Sequence, residues 1–430
     1  MRPASLRPAA AFILLLALAA LFTRPALAQT SQADSAGDPS YFDYDNHSPF
    51  PVTKQFTGTQ DGVAQYTITY PSPVTLPYAL NNTVTAYYFV PAGPGPHPAM
   101  AVLHEWLPRN LDLEKRMCQS MALAGVAALL VVQPYSLNRR PEALTPDPFD
   151  PEWKDPDAEL LSSDVPHMVA ALRQAVLDTR RGLDFLAAQP EIDPNRMGVS
   201  GISLGGILAG LVAGVDRRAK VLFTIVGGGD VAYSIWSSPN TAGLKQALRF
   251  NGWSYDTLRA AMAPVEPTRY LKGFDPANAL LINARYDFVV RPWQAEDLAK
   301  ALGGAKIVWT DTGHYGVAFS ETGIKQVGAK FLRSRFFGTG PYNPPRTLGG
   351  RTIKLGFILG GHEGASPALA YQLVNFDEAG RYSVDAQLTL HGLAGALSAR
   401  MSNSSALGVE FPLFHGTIRP RPYLLIHLVM

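Results

Sequence analysis

The chain has 430 residues, 47% of them apolar and 17% charged, which supplies a large buried core and excludes wholesale disorder. Its formal charge of +2 is spread without a long basic block, so it carries no electrostatic footprint for nucleic acid. Cys118 is the only cysteine, which excludes an internal disulfide framework; it sits in an apolar helical stretch and reads as a small core residue.

In chain order, residues 1–28 read as a secretory signal. Arg2 and Arg7 give the positive start, Ala9–Phe22 an apolar run too short to span comfortably, and Ala26-Leu27-Ala28 a small-x-small cleavage site. The expectation is an exported chain, periplasmic or extracellular, with no transmembrane helix in its mature part. Residues 29–59 form a polar lead-in. From about 60 to 340 the texture becomes short apolar strands alternating with helical stretches, the signature of parallel βαβ units.

The strands expected are Gln65–Tyr70, Val84–Val90, Ala99–His104, Val126–Gln133, Met197–Ser200, Val221–Val226, Ala279–Asn283 and Lys306–Trp309. The later ones are nearly all apolar, as strands buried on both faces must be. The clearest helix is Val165–Ala188, with an apolar stripe of period 3.6, a cap at Ser162–Asp164 and Pro166 in its first turn. Two connections exceed plain crossovers. Residues 134–161 are rich in Pro and Asp. Residues 227–274 carry Tyr233, Trp236, Phe250, Trp253 and Tyr255, aromatics that either line a pocket or pack the insertion onto the body.

Gly201-Ile202-Ser203-Leu204-Gly205 lies directly after a strand and before an apolar helix. A serine on such a turn projects its hydroxyl above the sheet, and flanking glycines avoid collisions of a Cβ with the turn. A hydroxyl needs a base to take its proton. Among nine histidines, His314 stands out, between Gly313 and Tyr315-Gly316 just after a strand. The imidazole in turn needs a carboxylate to fix its tautomer. Asp287, after strand Ala279–Asn283, is the first choice; Asp230 is an alternative acid, and Asp311 a weaker one because it lies so close to His314 in sequence. The expected oxyanion donors are the backbone amides of Leu204, after the nucleophile, and of Trp106, in the turn after strand Ala99–His104.

Past Pro345 the pattern changes to period two. Tyr382–Leu390, Leu397–Met401, Leu407–Leu413 and Leu424–Met430 alternate, so residues 346–430 read as a small antiparallel β unit of five or six strands. Its last strands are apolar on nearly both faces, which makes self-association through this unit a candidate. Six short strands fall below the eight of the smallest single-chain outer-membrane barrels, so no barrel is expected from one copy. No metal site or cofactor is expected: His104-Glu105 lacks the second histidine of a zinc-protease helix, and no phosphate-binding loop is in place.

The strand order, the Gly201–Gly205 elbow, Asp287 and His314 resemble the α/β-hydrolase superfamily over roughly residues 60–338. Leu103-His104-Glu105-Trp106 is similar to the dienelactone hydrolase and acetyl xylan esterase branch. That resemblance implies a local role for Glu105, because a glutamate at this turn sits beside the nucleophile in dienelactone hydrolases. The chain departs from them in carrying Ser203 where they use cysteine. The fold expected is therefore an α/β-hydrolase domain plus the small C-terminal β unit. The leading function is a serine carboxylesterase acting on a small ester or an acetylated carbohydrate; the alternatives are a serine peptidase and a non-catalytic surface or binding protein.

Overall fold

The computed structural model describes residues 37–140, 160–348, 353–360, 365–375, 382–390, 392–402, 405–413 and 421–429. The signal reading and the start of the lead-in therefore lie outside the described residues, as does most of the Pro/Asp-rich insertion.

The main body opens with β1 (Thr53–Gln60), β2 (Val63–Pro71) and β3 (Thr83–Val90). There follow β4 (His97–Leu103), helix α1 (Asp112–Leu123), β5 (Ala127–Val131), α2 (Val165–Ala187), β6 (Ile192–Ile202), α3 (Leu204–Val215) and β7 (Ala219–Ile225). The second insertion folds as α4 (Val231–Ser237), α5 (Ala242–Phe250) and α6 (Tyr255–Met262). The body closes with β8 (Ala279–Ala284), α7 (Pro292–Ala301), β9 (Lys306–Thr310), α8 (Glu321–Phe337) and the short β10 (Thr347–Leu348).

These strands form one ten-stranded sheet in the order β1-β2-β3-β5-β4-β6-β7-β8-β9-β10. β1, β2 and β3 are joined antiparallel, and β3 meets β5 antiparallel; from β5 onward every pairing is parallel. Every residue of β5 and β8 is buried, because helices cover both faces. The pleat sorts one strand between two cores: Ala127, Leu129 and Val131 face α2 and α3, whereas Ala128 and Leu130 face α1 and α8. The eight strands expected from sequence all fall on strands of this sheet. β1 was hidden in the polar lead-in because its residues are almost all exposed, an edge strand with no apolar face to read.

Helix α2 starts where its cap places it. The Asp164 carboxylate accepts from the His167 amide at 3.2 Å, and Pro166 occupies the first turn.

After β10 the chain builds a second sheet: β11 (Ile353–Gly360), β12 (Ala365–Asn375), β13 (Tyr382–Thr389), β14 (Gly392–Ser402), β15 (Ser405–Pro412) and β16 (Arg421–Val429). Each pairs antiparallel with the next, and β16 returns to β11, so the six strands close into a barrel. The expectation of no barrel from one copy is overturned. Closure at six strands leaves a narrow bore, and the chain fits it by placing Ala368, Ala370, Ala396 and Ala406 inward. Gly408 belongs to the same economy: a Cβ there would lie 2.5 Å from the Tyr423 hydroxyl.

Candidate active site

The site forms where β6 turns into α3. Ser203 sits on that turn with φ 56° and ψ −120°, a conformation that costs a non-glycine residue energy and survives only where its surroundings enforce it. The enforcement is visible on both sides. A Cβ on Gly201 would lie 2.1 Å from the Gly205 carbonyl oxygen, and one on Gly205 would lie 2.3 Å from that of Leu103. Both positions need glycine, so the elbow packs α3 directly onto the end of β4.

Ser203 Oγ lies 2.9 Å from His314 Nε2, and His314 Nδ1 lies 2.7 Å from Asp287 Oδ2. All three residues are buried. The second carboxylate oxygen of Asp287 accepts from the amides of Val289 and Val290, each at 2.8 Å. With Oδ1 held by two amides, Oδ2 remains for the imidazole and fixes the Nδ1–H tautomer, leaving Nε2 as the acceptor facing the serine. These amide partners escaped the sequence reading. The signal for them was present, because an aspartate commonly caps amides two and three residues ahead of it.

The two other acids point elsewhere. Asp230 caps α4 by accepting from the Tyr233 amide at 3.0 Å; its other oxygen takes the Tyr255 hydroxyl and faces Arg259 at 3.7 Å. Asp311 pairs with Arg285 at 3.0 Å and with Arg400 of the barrel.

Leu204 is the first residue of α3, where amides have no partner within the helix. Trp106 stands in the turn after β4, and both residues line the cavity over Ser203. A buried histidine braces this turn. His104 Nε2 accepts from the Gln133 amide at 2.9 Å, which requires its Nδ1–H to donate to the Glu105 carbonyl at 2.6 Å. Burial pushes His104 down to about 4, so it stays neutral and acts as a fixed strut. Its partner comes from the end of another strand, a contact no local pattern announces.

Glu105 also lines the cavity. Burial raises its carboxyl, and His314 pulls it back down. The Glu105 amide donates to Glu114 at 3.3 Å, and burial lifts Glu114 to about 7. The cavity holds about 560 Å³. Leu113, Leu161, Ile207, Ile235 and Val290 give it apolar walls, while Arg109 and Asn240 add polar ones. Asn240, from the second insertion, donates to the hydroxyl of Tyr315, the residue after His314, and so ties the insertion to the histidine loop.

The aromatics of that insertion do not line the cavity. Tyr233 packs on Trp293 and Tyr255, Trp236 and Trp253 lean on the main core, and Phe250 is 92% exposed. Among the described residues, no group of three or more His, Cys, Asp or Glu is placed to hold a metal ion, and no helix is long and apolar enough to cross a membrane.

Two family profiles match the body. The prolyl oligopeptidase family matches residues 173–330, and the dienelactone hydrolase family matches residues 84–227. Among solved structures, an acetyl xylan esterase from Paenibacillus sp. R4 is 20% identical. The match covers 67% of this chain and 90% of that one, with a TM-score of 0.50. Acetyl xylan esterase 1 from Thermoanaerobacterium sp. JW/SL YS485 is 15% identical over 70% of this chain and 95% of that one, with a TM-score of 0.54. The chain is an α/β hydrolase, related over residues 173–330 to the prolyl oligopeptidase family and over residues 84–227 to the dienelactone hydrolase family, and it shares its fold with the two acetyl xylan esterases.

Proposed function

We propose that this chain hydrolyses carboxylic esters, small or acetylated, through an acyl-enzyme on Ser203. The observation that carries the proposal is the continuous chain Ser203 Oγ, His314 Nε2, His314 Nδ1, Asp287 Oδ2 at 2.9 and 2.7 Å, opening on a 560 Å³ cavity with apolar walls. Ser203 attacks the ester carbonyl while His314 takes its proton. The oxyanion is met by the amides of Leu204 and Trp106. His314 returns the proton to the departing alcohol, and Asp287 stabilises the transient imidazolium. Water, deprotonated by His314, then releases the acid. The named activity of the two esterase neighbours and the dienelactone hydrolase match support an ester substrate. The reading of residues 1–28 supports an exported setting, periplasmic or extracellular.

The prolyl oligopeptidase match favours a second reading, a serine peptidase. One experiment separates the two. Turnover of p-nitrophenyl esters from acetate to octanoate is compared with turnover of short peptide amides, for the wild type and for Ser203→Ala. Ester turnover that falls by about a million-fold in the variant supports the proposal. Amide turnover with little on esters moves the chain to the peptidases. Failure of a fluorophosphonate to label Ser203 would leave a binding protein on a hydrolase fold.

A further inference from the structure

The C-terminal barrel is inverted with respect to water. Most buried positions on its strands hold polar groups or small residues, with Ile358 and Leu425 the large apolar exceptions, and most of its large apolar side chains are exposed. Lys354, Gln372, Asp385, Gln387, Ser398 and Glu410 are all buried. Three of them are wired together: Asp385 accepts from Lys354 at 3.0 Å and from Ser398 at 2.6 Å, as well as from Ser383 at 2.8 Å, and Ser398 bonds the Tyr423 hydroxyl. Arg400 and Arg421 continue the same inward alternation, so every Asp, Glu, Lys and Arg on the described barrel strands occupies an inward position. Outward, Phe357, Leu369, Leu388, Leu397, Leu407 and Ile426, one from each strand, are 38–58% exposed.

A barrel standing in water would show the opposite pattern, polar out and apolar in. From this inversion we infer that the barrel sits in a lipid bilayer, with its outer surface against acyl chains. Four features favour lipid over a second copy of the chain. The apolar belt runs round all six strands, whereas a second copy would cover an arc. Closure of β16 onto β11 pairs the strand edges, which hydrocarbon requires of any sheet. The strands are 8 to 11 residues long, against about 9–11 for a tilted membrane-spanning strand. Finally, Tyr371 and Tyr382 point outward near the rim that carries Arg400 and meets the body. Tyrosine is the residue expected where a barrel leaves hydrocarbon for headgroups. The body then lies at the membrane surface, held by the barrel.

The test uses the full chain and vesicles of phosphatidylethanolamine and phosphatidylglycerol. Cys118 is buried, so a nitroxide can be directed to Leu397→Cys on the belt and, separately, to Phe250→Cys on the exposed surface of α5. In vesicles the belt label should collide more with oxygen than with chelated nickel, and the α5 label should show the reverse. Leu397→Arg should lower vesicle partitioning by about two orders of magnitude, with a cooperative thermal melt confirming that the variant is folded. Equal collision profiles at the two labels would overturn the inference. So would a discrete lipid-free oligomer in which the belt label is immobilised, because a second copy would then be the partner.

Discussion

Asp311 of the hydrolase body pairs with Arg400 of barrel strand β14, and Asp311 stands three residues ahead of His314. The same carboxylate holds Arg285 at 3.0 Å, and Arg285 also reaches Thr347 of β10 at 3.0 Å. The barrel is thus fastened to the loop that carries the histidine, and one carboxylate neutralises an arginine from each side. Nothing in the spacing of Asp311 and His314 foretold this. The nearness in sequence that made Asp311 a poor triad acid places it beside the triad in a different office.

Removing that carboxylate should free two arginines against each other. In a double-mutant cycle, Asp311→Asn and Arg400→Met should couple by about 0.5–3 kcal/mol in urea unfolding, the range for residues that share an ion-pair network. Strictly additive effects would show that the pair does not join barrel to body.

Asp287→Asn tests the acid. The amide can still occupy the site, but it favours the wrong imidazole tautomer, so kcat should fall by about four orders of magnitude with little change in KM. Asp230→Asn should alter kcat by only a few fold, because that carboxylate caps α4 and binds Tyr255, away from the imidazole. A loss with Asp230→Asn matching that of Asp287→Asn would reassign the acid.

Much of this site was legible beforehand because its chemistry is local. The elbow must be Gly201-x-Ser203-x-Gly205, since a Cβ at either end strikes backbone within 2.3 Å, so the steric demand is written in the string itself. The body strands were legible because burial on both faces leaves continuous apolar runs. Three parts were hidden, each for a physical reason. β1 is an exposed edge with no periodic face. The clamp between His104 and Gln133 joins ends of two different strands. The barrel was read as alternation, but alternation alone does not tell which face is inside; the burial of the closed barrel does, and it turns most of the leucines outward, with Leu425 inside.

Glu114 supplies a pH signature. Folded, it holds its proton to about 7; unfolded, to its ordinary value near 4.5. Between these limits the native state binds more protons than the unfolded state, so this group makes stability fall as pH rises from about 4.5 to about 7, with a flat profile above. The full span is worth roughly 3 kcal/mol, reduced by whatever water reaches the cavity. Glu114→Gln keeps an acceptor for the Glu105 amide and removes the ionisation. The variant should therefore gain on the wild type between pH 5 and pH 8 in guanidinium midpoint, and parallel curves for the two proteins would refute the assignment.

The ion pair between Arg139 and Asp178 should be the most fragile point of the body. The two groups meet at 2.7 Å and both are fully buried. Arg139 also donates to the Val132 carbonyl at 2.7 Å and to that of Asn81, and Asp178 accepts from Ser72. Burial pushes the Asp178 carboxyl up while Arg139 draws it down. The pair joins α2 to the segment after β5, the start of the first insertion, whose far end brings Leu161 to the cavity wall. Asp178→Ala strands a buried guanidinium and should cost about 3–5 kcal/mol. Replacing both partners with apolar residues of similar size, Arg139→Met with Asp178→Leu, removes the stranded charge and should recover most of that loss. A double variant no more stable than Asp178→Ala would mean that the hydrogen bonds to Val132, Asn81 and Ser72, and not the charge pairing, hold this junction.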